Sequence, residues 1–236
     1  MGSNGSEPPA LATTTAAALK VAVVGPVGVG KTTLVTSVSE IRPLTTEEYM
    51  TGDADQARGV DKDHTTVAMD FGRISISDRL VLYLFGTPGQ ERFWFLWDGL
   101  VNGALGAVVL VDVRRLAESF DVLERLEKRG VAFMVAANCF PDAPVYPVPE
   151  LRAALDLPDV VPIVYCDARD RDSAREVLLT LARYLLVLAE SSEAGTESGA
   201  EPGTEPGAEA ETEPEGESAE VAGAVSRAIA EPLSVD

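Results

Sequence analysis

Gly25-Pro26-Val27-Gly28-Val29-Gly30-Lys31-Thr32-Thr33 is the stretch whose reading decides the fold. It contains Gly-x4-Gly-Lys-Thr, the spacing of a phosphate-binding P-loop. Glycines let backbone N–H groups turn inward around a phosphate, and the N-terminus of a following helix adds partial positive charge. The candidate phosphate-binding residues are therefore Gly25, Gly28, Val29, Gly30, Lys31, Thr32 and Thr33. Lys31 has the reach for β- and γ-phosphates, and the Thr32 hydroxyl suits Mg2+. The context agrees with the motif. Leu19 to Val24 is apolar and β-branched, as a buried parallel strand is, and Thr33 to Glu40 suits a helix.

Composition narrows the class. The chain has 236 residues and a formal charge of −19, which argues against non-specific nucleic-acid binding and against an electrostatic grip on anionic membranes. Glu190 to Asp236 holds 13 acidic residues and one basic residue, Arg227, so −12 of the charge lies there and −7 in the remainder. Cys139 and Cys166 end apolar runs, which predicts reduced thiols in a cytoplasmic protein. No apolar run approaches the ~20 residues of a membrane span, and no secretory leader is expected. The opening MGSNGS fits a short acylation pattern, which counts only where the host has the transferase.

The pattern along the chain predicts three regions. Residues 1–17 are small and polar, a disordered lead-in. Residues 18–190 form one nucleotide-binding domain, and 191–236, with repeated Glu-Pro-Gly units, is an acidic disordered tail in which 221–233 regains some apolar character. Within the domain, strands are expected at 66–76, 80–86, 104–113, 131–138 and 161–168. Helices are expected near 87–100 after a loop, at 114–130 with Gly130 as C-cap, at 149–155 and at 172–190. The expected fold is an α/β P-loop NTPase: a mostly parallel six-stranded sheet with one antiparallel hairpin strand and helices on both faces.

In order, these motifs resemble a small Ras-like GTPase over about residues 19 to 190. The closest resemblance is to bacterial members encoded in actinobacterial conservon operons, relatives of the cell-polarity GTPase MglA. Thr66, opening Thr66-Val-Ala-Met-Asp-Phe71, resembles the switch threonine that closes over Mg2+ and the γ-phosphate, with Thr65 as fallback. Thr87-Pro-Gly-Gln-Glu-Arg-Phe93 resembles switch II. There Gly89 would give its N–H to the γ-phosphate and Gln90 would orient the attacking water, with Lys31 as its catalytic partner. The family's acidic residue is replaced by Gly86, so Mg2+ is expected to lean on Thr32, Thr66 and the phosphates.

Asn138-Cys139-Phe140-Pro141-Asp142 stands where the family has Asn-Lys-x-Asp; the carboxylate comes one residue late, at Asp142, and Cys139 replaces the lysine. Asp167-Ala168-Arg169 resembles the Ser-Ala-Lys element, whose alanine N–H meets the guanine O6. By the same resemblance the ligands are GTP or GDP with Mg2+. The partners would be a Roadblock/LC7-type regulator and a sensor-kinase-like membrane protein, through which any membrane association would run.

Phe93-Trp94-Phe95-Leu96-Trp97 holds five large apolar residues that cannot all face one core, so it reads both as helix burial and as a docking surface. Arg92 and Arg58 are candidate arginine fingers, each also readable as a solvated surface residue; His64 is read as incidental. The leading expectation is a guanine-nucleotide switch with slow GTP hydrolysis. A nucleotide-bound scaffold without hydrolysis and a P-loop ATPase or kinase stay open beside it.

Overall fold

The chain alternates short apolar runs with amphipathic helices, and the runs assemble into one sheet. The computed structural model describes residues 17–45, 69–77, 80–89 and 94–197. The strands are β1 (Ala17–Val24), β2 (Leu44–Thr45), β3 (Asp70–Ser75), β4 (Leu80–Gly86), β5 (Gly106–Val111), β6 (Phe133–Asn138) and β7 (Ile163–Cys166). The helices are α1 (Lys31–Val38), α2 (Trp94–Val101), α3 (Phe120–Lys128, after a 3-10 turn at Leu116–Ser119), α4 (Val148–Ala154) and α5 (Arg171–Glu197). The sheet order is β2-β3-β4-β1-β5-β6-β7. β1 lies parallel between β4 and β5, and β5, β6 and β7 continue in parallel. β3 is antiparallel to β4. The expected six strands with one antiparallel hairpin are thus present, and the two-residue β2 adds an antiparallel margin beside β3.

Central strands are apolar on both sides because both sides are covered. Val108 and Leu110 of β5 face a core shared with Leu34, Val35 and Val38 of α1 and Val177, Leu178 and Leu181 of α5. Ala107, Val109 and Val111 face the opposite core, with Trp97 and Val101 of α2, Val122, Leu123 and Leu126 of α3, and Leu151 of α4. Period-two alternation along β5 therefore assigns each residue to one layer or the other. The connections out of β1 and β4 leave on different faces, so the loops at the C-terminal ends of β1, β4, β5, β6 and β7 converge on one rim, where open α/β sheets bind ligands.

Several boundaries differ from the sequence expectation for local reasons. β3 begins at Asp70; residues 46–68, including Arg58, His64, Thr65 and Thr66, lie outside the described residues. Gln90, Arg92 and Phe93 also lie outside them, while Trp97 is 2% exposed, which places that ring in the core. α1 starts at Lys31, not Thr33, because Gly30 caps it and Leu34 N–H already donates to Gly30 O. α3 ends as expected at Gly130, where Val131 N–H donates to Leu126 O and Gly130 N–H to Glu127 O, a Schellman closure. α5 runs on to Glu197, past the expected end at Glu190; the next proline is Pro202, so nothing before it forces a stop.

Leu126 is fully buried in the α3 layer. Leu126→Ala is expected to cost about 2–4 kcal/mol of unfolding free energy, read as a lower urea midpoint with an unchanged m-value.

Candidate functional site

The phosphate end is built by the turn between β1 and α1. Gly30 is the N-cap of α1 at φ 105°, and a Cβ there would stand 2.6 Å from Asn138 Nδ2. Lys31 folds back over the turn: Nζ donates to Gly25 O at 2.8 Å and to Pro26 O at 2.6 Å. Burial pushes its pKa down to about 8, opposed by the Asp70 carboxylate nearby. Gly89, from the loop after β4, lies against this turn. A Cβ on it would be 2.7 Å from Lys31 Nζ and 2.8 Å from Val27 N, so only glycine fits.

Beside Thr32 stands a carboxylate that the motifs did not point to. Thr32 Oγ1 donates to Asp70 Oδ2 at 2.6 Å. Asp70 is 7% exposed and stands opposite Gly86 in the β3–β4 register. A Cβ on Gly86 would lie 2.9 Å from both the Cβ and Oδ2 of Asp70. Gly86 on β4 carries no acid, and the neighbouring antiparallel strand places the Asp70 carboxylate at that spot across the ladder. The signal was present in Asp70 at the head of β3, where a buried charge needs a reason. A hydroxyl and a carboxylate are hard oxygen donors that fit Mg2+. Among the described residues no group of three or more His, Cys, Asp or Glu is placed to hold a metal ion, so phosphate and water oxygens would complete the shell of any Mg2+ bound here.

Asn138, at the end of β6 and 6% exposed, ties the phosphate end to the base end. Its Nδ2 donates to Val29 O at 2.9 Å, and its Oδ1 accepts from Ala168 N–H at 3.0 Å. The Ala168 N–H is thus already engaged by Asn138. Cys139 is exposed, and its N–H donates to Cys166 O at 2.7 Å. Beyond it the chain makes a tight turn, closed by Ala143 N–H to Phe140 O at 3.2 Å, with exposed Asp142 at φ 60°. Pro141 supplies the preset φ of the first corner, and the left-handed second corner is taken by an aspartate. Arg169 makes a two-pronged bond to Asp167, at 2.9 and 2.7 Å, which holds the Asp167 pKa down at about 2. The structure thus brings together Gly25 through Thr33, Gly89, Asn138, Cys139, Asp142, Asp167, Ala168 and Arg169 on one rim. Gln90 and Thr66 lie outside the described residues.

Known proteins share this frame. The model of a family described as "conserved hypothetical ATP binding protein" matches residues 23–187. The chain belongs to that family. An uncharacterized protein of Methanocaldococcus jannaschii is 30% identical over 122 residues, 51% of this chain and 69% of that protein. The solved G domain of the FeoB iron transporter of T. maritima aligns with a TM-score of 0.50 and 19% identity, over 71% of this chain and 99% of that domain. That likeness is one of fold. This member of the ATP-binding family is accordingly a nucleotide-binding P-loop protein on a GTPase-like sheet. Among the described residues, no helix is long and apolar enough to cross a membrane.

Two outcomes follow from the geometry. Gly86→Asp, which restores an acid on β4, is expected to destabilise the fold by about 2 kcal/mol or more through overpacking and like charge. The exchange Gly86→Asp with Asp70→Gly should recover most of it in urea unfolding. Asp112, at the end of β5, has its pKa lowered to about 2, chiefly by its bond to Arg114. A carboxylate depressed on folding adds stability above its unfolded pKa, and that stability is lost as pH falls through the folded value. Asp112→Asn should therefore flatten the fall in melting temperature between about pH 4 and pH 2.

Proposed function

We propose that the chain is a guanine-nucleotide switch that hydrolyses GTP slowly. The observation that carries this reading is the Asp142 turn. It offers an exposed carboxylate on the loop after β6, joined through Asn138 to the phosphate-binding turn. A carboxylate there accepts two hydrogen bonds from guanine N1–H and N2–H, which adenine does not offer, and a site built on such bonds discriminates strongly.

The chain's own groups divide the work. Lys31 and the inward N–H groups of the turn hold the β- and γ-phosphates and take up charge as the leaving oxygen develops. Gly89 offers its N–H toward the γ-phosphate. Gln90 orients the attacking water, whose proton passes to the phosphate as the terminal P–O bond breaks to give GDP and inorganic phosphate. Thr32 and Asp70 would hold Mg2+, with Thr66 joining in the triphosphate state; bound there, the ion supplies neutralising charge to the phosphate oxygens. Gly89 stands so close to Lys31 and Val27 that no side chain fits there, which supports its N–H meeting a γ-phosphate held by that turn.

The resemblance to conservon-encoded and MglA-related GTPases supports signalling with a Roadblock/LC7-type regulator and a sensor-kinase-like membrane protein. A second reading, ATP as the ligand, draws on the family's description as ATP-binding and on Pro141 in place of the base-reading aspartate. A scaffold that binds without turning over is the third.

Competition of GTP and ATP for the protein separates the bases: GTP is expected to win by 100-fold or more, on the order seen when a polar site loses its partner. Equal competition would sink the guanine reading. Single-turnover release of γ-phosphate tests hydrolysis. Gln90→Ala is expected to slow it by about 10-fold or more with GTP affinity kept, and an unaltered chain that releases none is a scaffold.

A further inference from the structure

Asp112 is 1% exposed and grips two guanidinium groups that diverge from it. Arg114 Nε donates to Oδ1 at 2.9 Å and Nη2 to Oδ2 at 2.8 Å, while its backbone N–H also reaches Oδ1 at 3.0 Å. The same guanidinium lies 4.5 Å from the centre of the Phe140 ring. Arg115 donates Nε to Asp112 Oδ2 at 3.4 Å and Nη1 to the Glu118 carboxylate at 3.0 Å. Its Nη2 crosses to Val27 O at 3.3 Å and stands 3.8 Å from where a Gly28 Cβ would be. One buried carboxylate thus anchors an arm to each end of the nucleotide site.

We propose that Asp112, Arg114 and Arg115 form a positioning bracket: Arg115 sets the apex of the phosphate turn, and Arg114 sets the base-reading turn. This rests on the nucleotide reading above. At the apex, Val27 is 52% exposed and has little packing to fix it. The Val27 carbonyl and the Gly28 N–H belong to one planar trans peptide and point in opposite directions. Drawing the carbonyl outward to Arg115 therefore aims the Gly28 N–H inward, at the phosphate. At the base end, Asp142 holds a left-handed backbone that a residue other than glycine keeps only when its surroundings hold it there. The closing bond to Phe140 is one restraint. Arg114 over the Phe140 ring is the second, and its positive charge also draws on Asp142. Cys139 brings no cation to this loop, so Arg114 supplies the charge from the turn after the neighbouring strand β5.

Dissociation constants of GTP, GDP and ATP for the full chain test the bracket, with melting curves to show that each variant folds. Arg115→Ala is expected to weaken all three nucleotides by about tenfold with their ratios unchanged, and Arg115→Lys to restore part of the loss. Arg114→Ala is expected to lower the preference for GTP over ATP by about three- to tenfold and to leave ATP affinity within about twofold. Asp112→Asn should do both, and adding Arg114→Ala to it should change little further, because the arm is already released. Arg114→Gln and Arg115→Gln replace any alanine variant that fails to fold. An unchanged preference in the Arg114 variants together with unchanged affinity in the Arg115 variants overturns the bracket; if Asp142→Ala still abolishes the preference, the guanine reading stands without it. An unaltered chain that binds no purine nucleotide removes both.

Discussion

The buried amide of Asn138 is the contact on which the rim depends. It satisfies Val29 O on the phosphate turn and Ala168 N–H on the loop after β7, while its own backbone ends β6. Each partner is buried away from water, so removing the amide would orphan a donor and an acceptor at once, at about 1–3 kcal/mol each. The effect is geometric as well as energetic. Three loops from three non-adjacent stretches of chain take their relative positions from one side chain. Gly30 shows how closely they meet, since even a methyl group there would strike the same amide.

Asp70 shows how one location on an antiparallel pair is open to an acid from either strand. In an antiparallel pair, residues opposite one another project to the same face, so an acid at 70 and an acid at 86 are alternative sources for one location. The two cannot coexist, because the space above Gly86 is filled by Asp70 itself. The exchange also changes what the acid touches. Coming from β3, Asp70 bonds Thr32 and holds up the pKa of Lys31 against the cost of burial. It is thus coupled to the phosphate turn, and it stands at the start of the strand that follows residues 46–68.

The architecture was legible because periodicity and punctuation agreed. Val108 and Leu110 against Ala107, Val109 and Val111 make an uninterrupted apolar run, and a strand so written must be covered on both faces. Gly130 ended α3 where its left-handed backbone required. The phosphate turn was legible for the same reason: its glycine spacing is dictated by local backbone geometry. What the sequence hid was non-local. That Asp70 answers Gly86 depends on register across a hairpin. That Asn138 engages Ala168 depends on two strand ends meeting, although their motif order hinted at it. The pairing of Asp112 with two neighbouring arginines was local, yet Arg114 and Arg115 read as ordinary surface charge until Val27 and Phe140 were placed beside them.

The two ends of the rim are held by different means, and that difference bears on how the site would respond to ligand. The phosphate turn is closed by Lys31, by Asn138, by the N-terminus of α1 and by the close approach of Gly89, all short and largely buried. The base turn has a single backbone bond of 3.2 Å, an exposed aspartate in a left-handed corner and one cation stacked on a ring. A left-handed non-glycine corner costs about 1–2 kcal/mol, close to what one such bond returns. The turn after β6 therefore lies near balance on its own, and a ligand that donates hydrogen bonds to Asp142 would tip it. The phosphate turn is thus set by buried bonds before any ligand arrives, whereas the turn after β6 rests on few and is free to answer one.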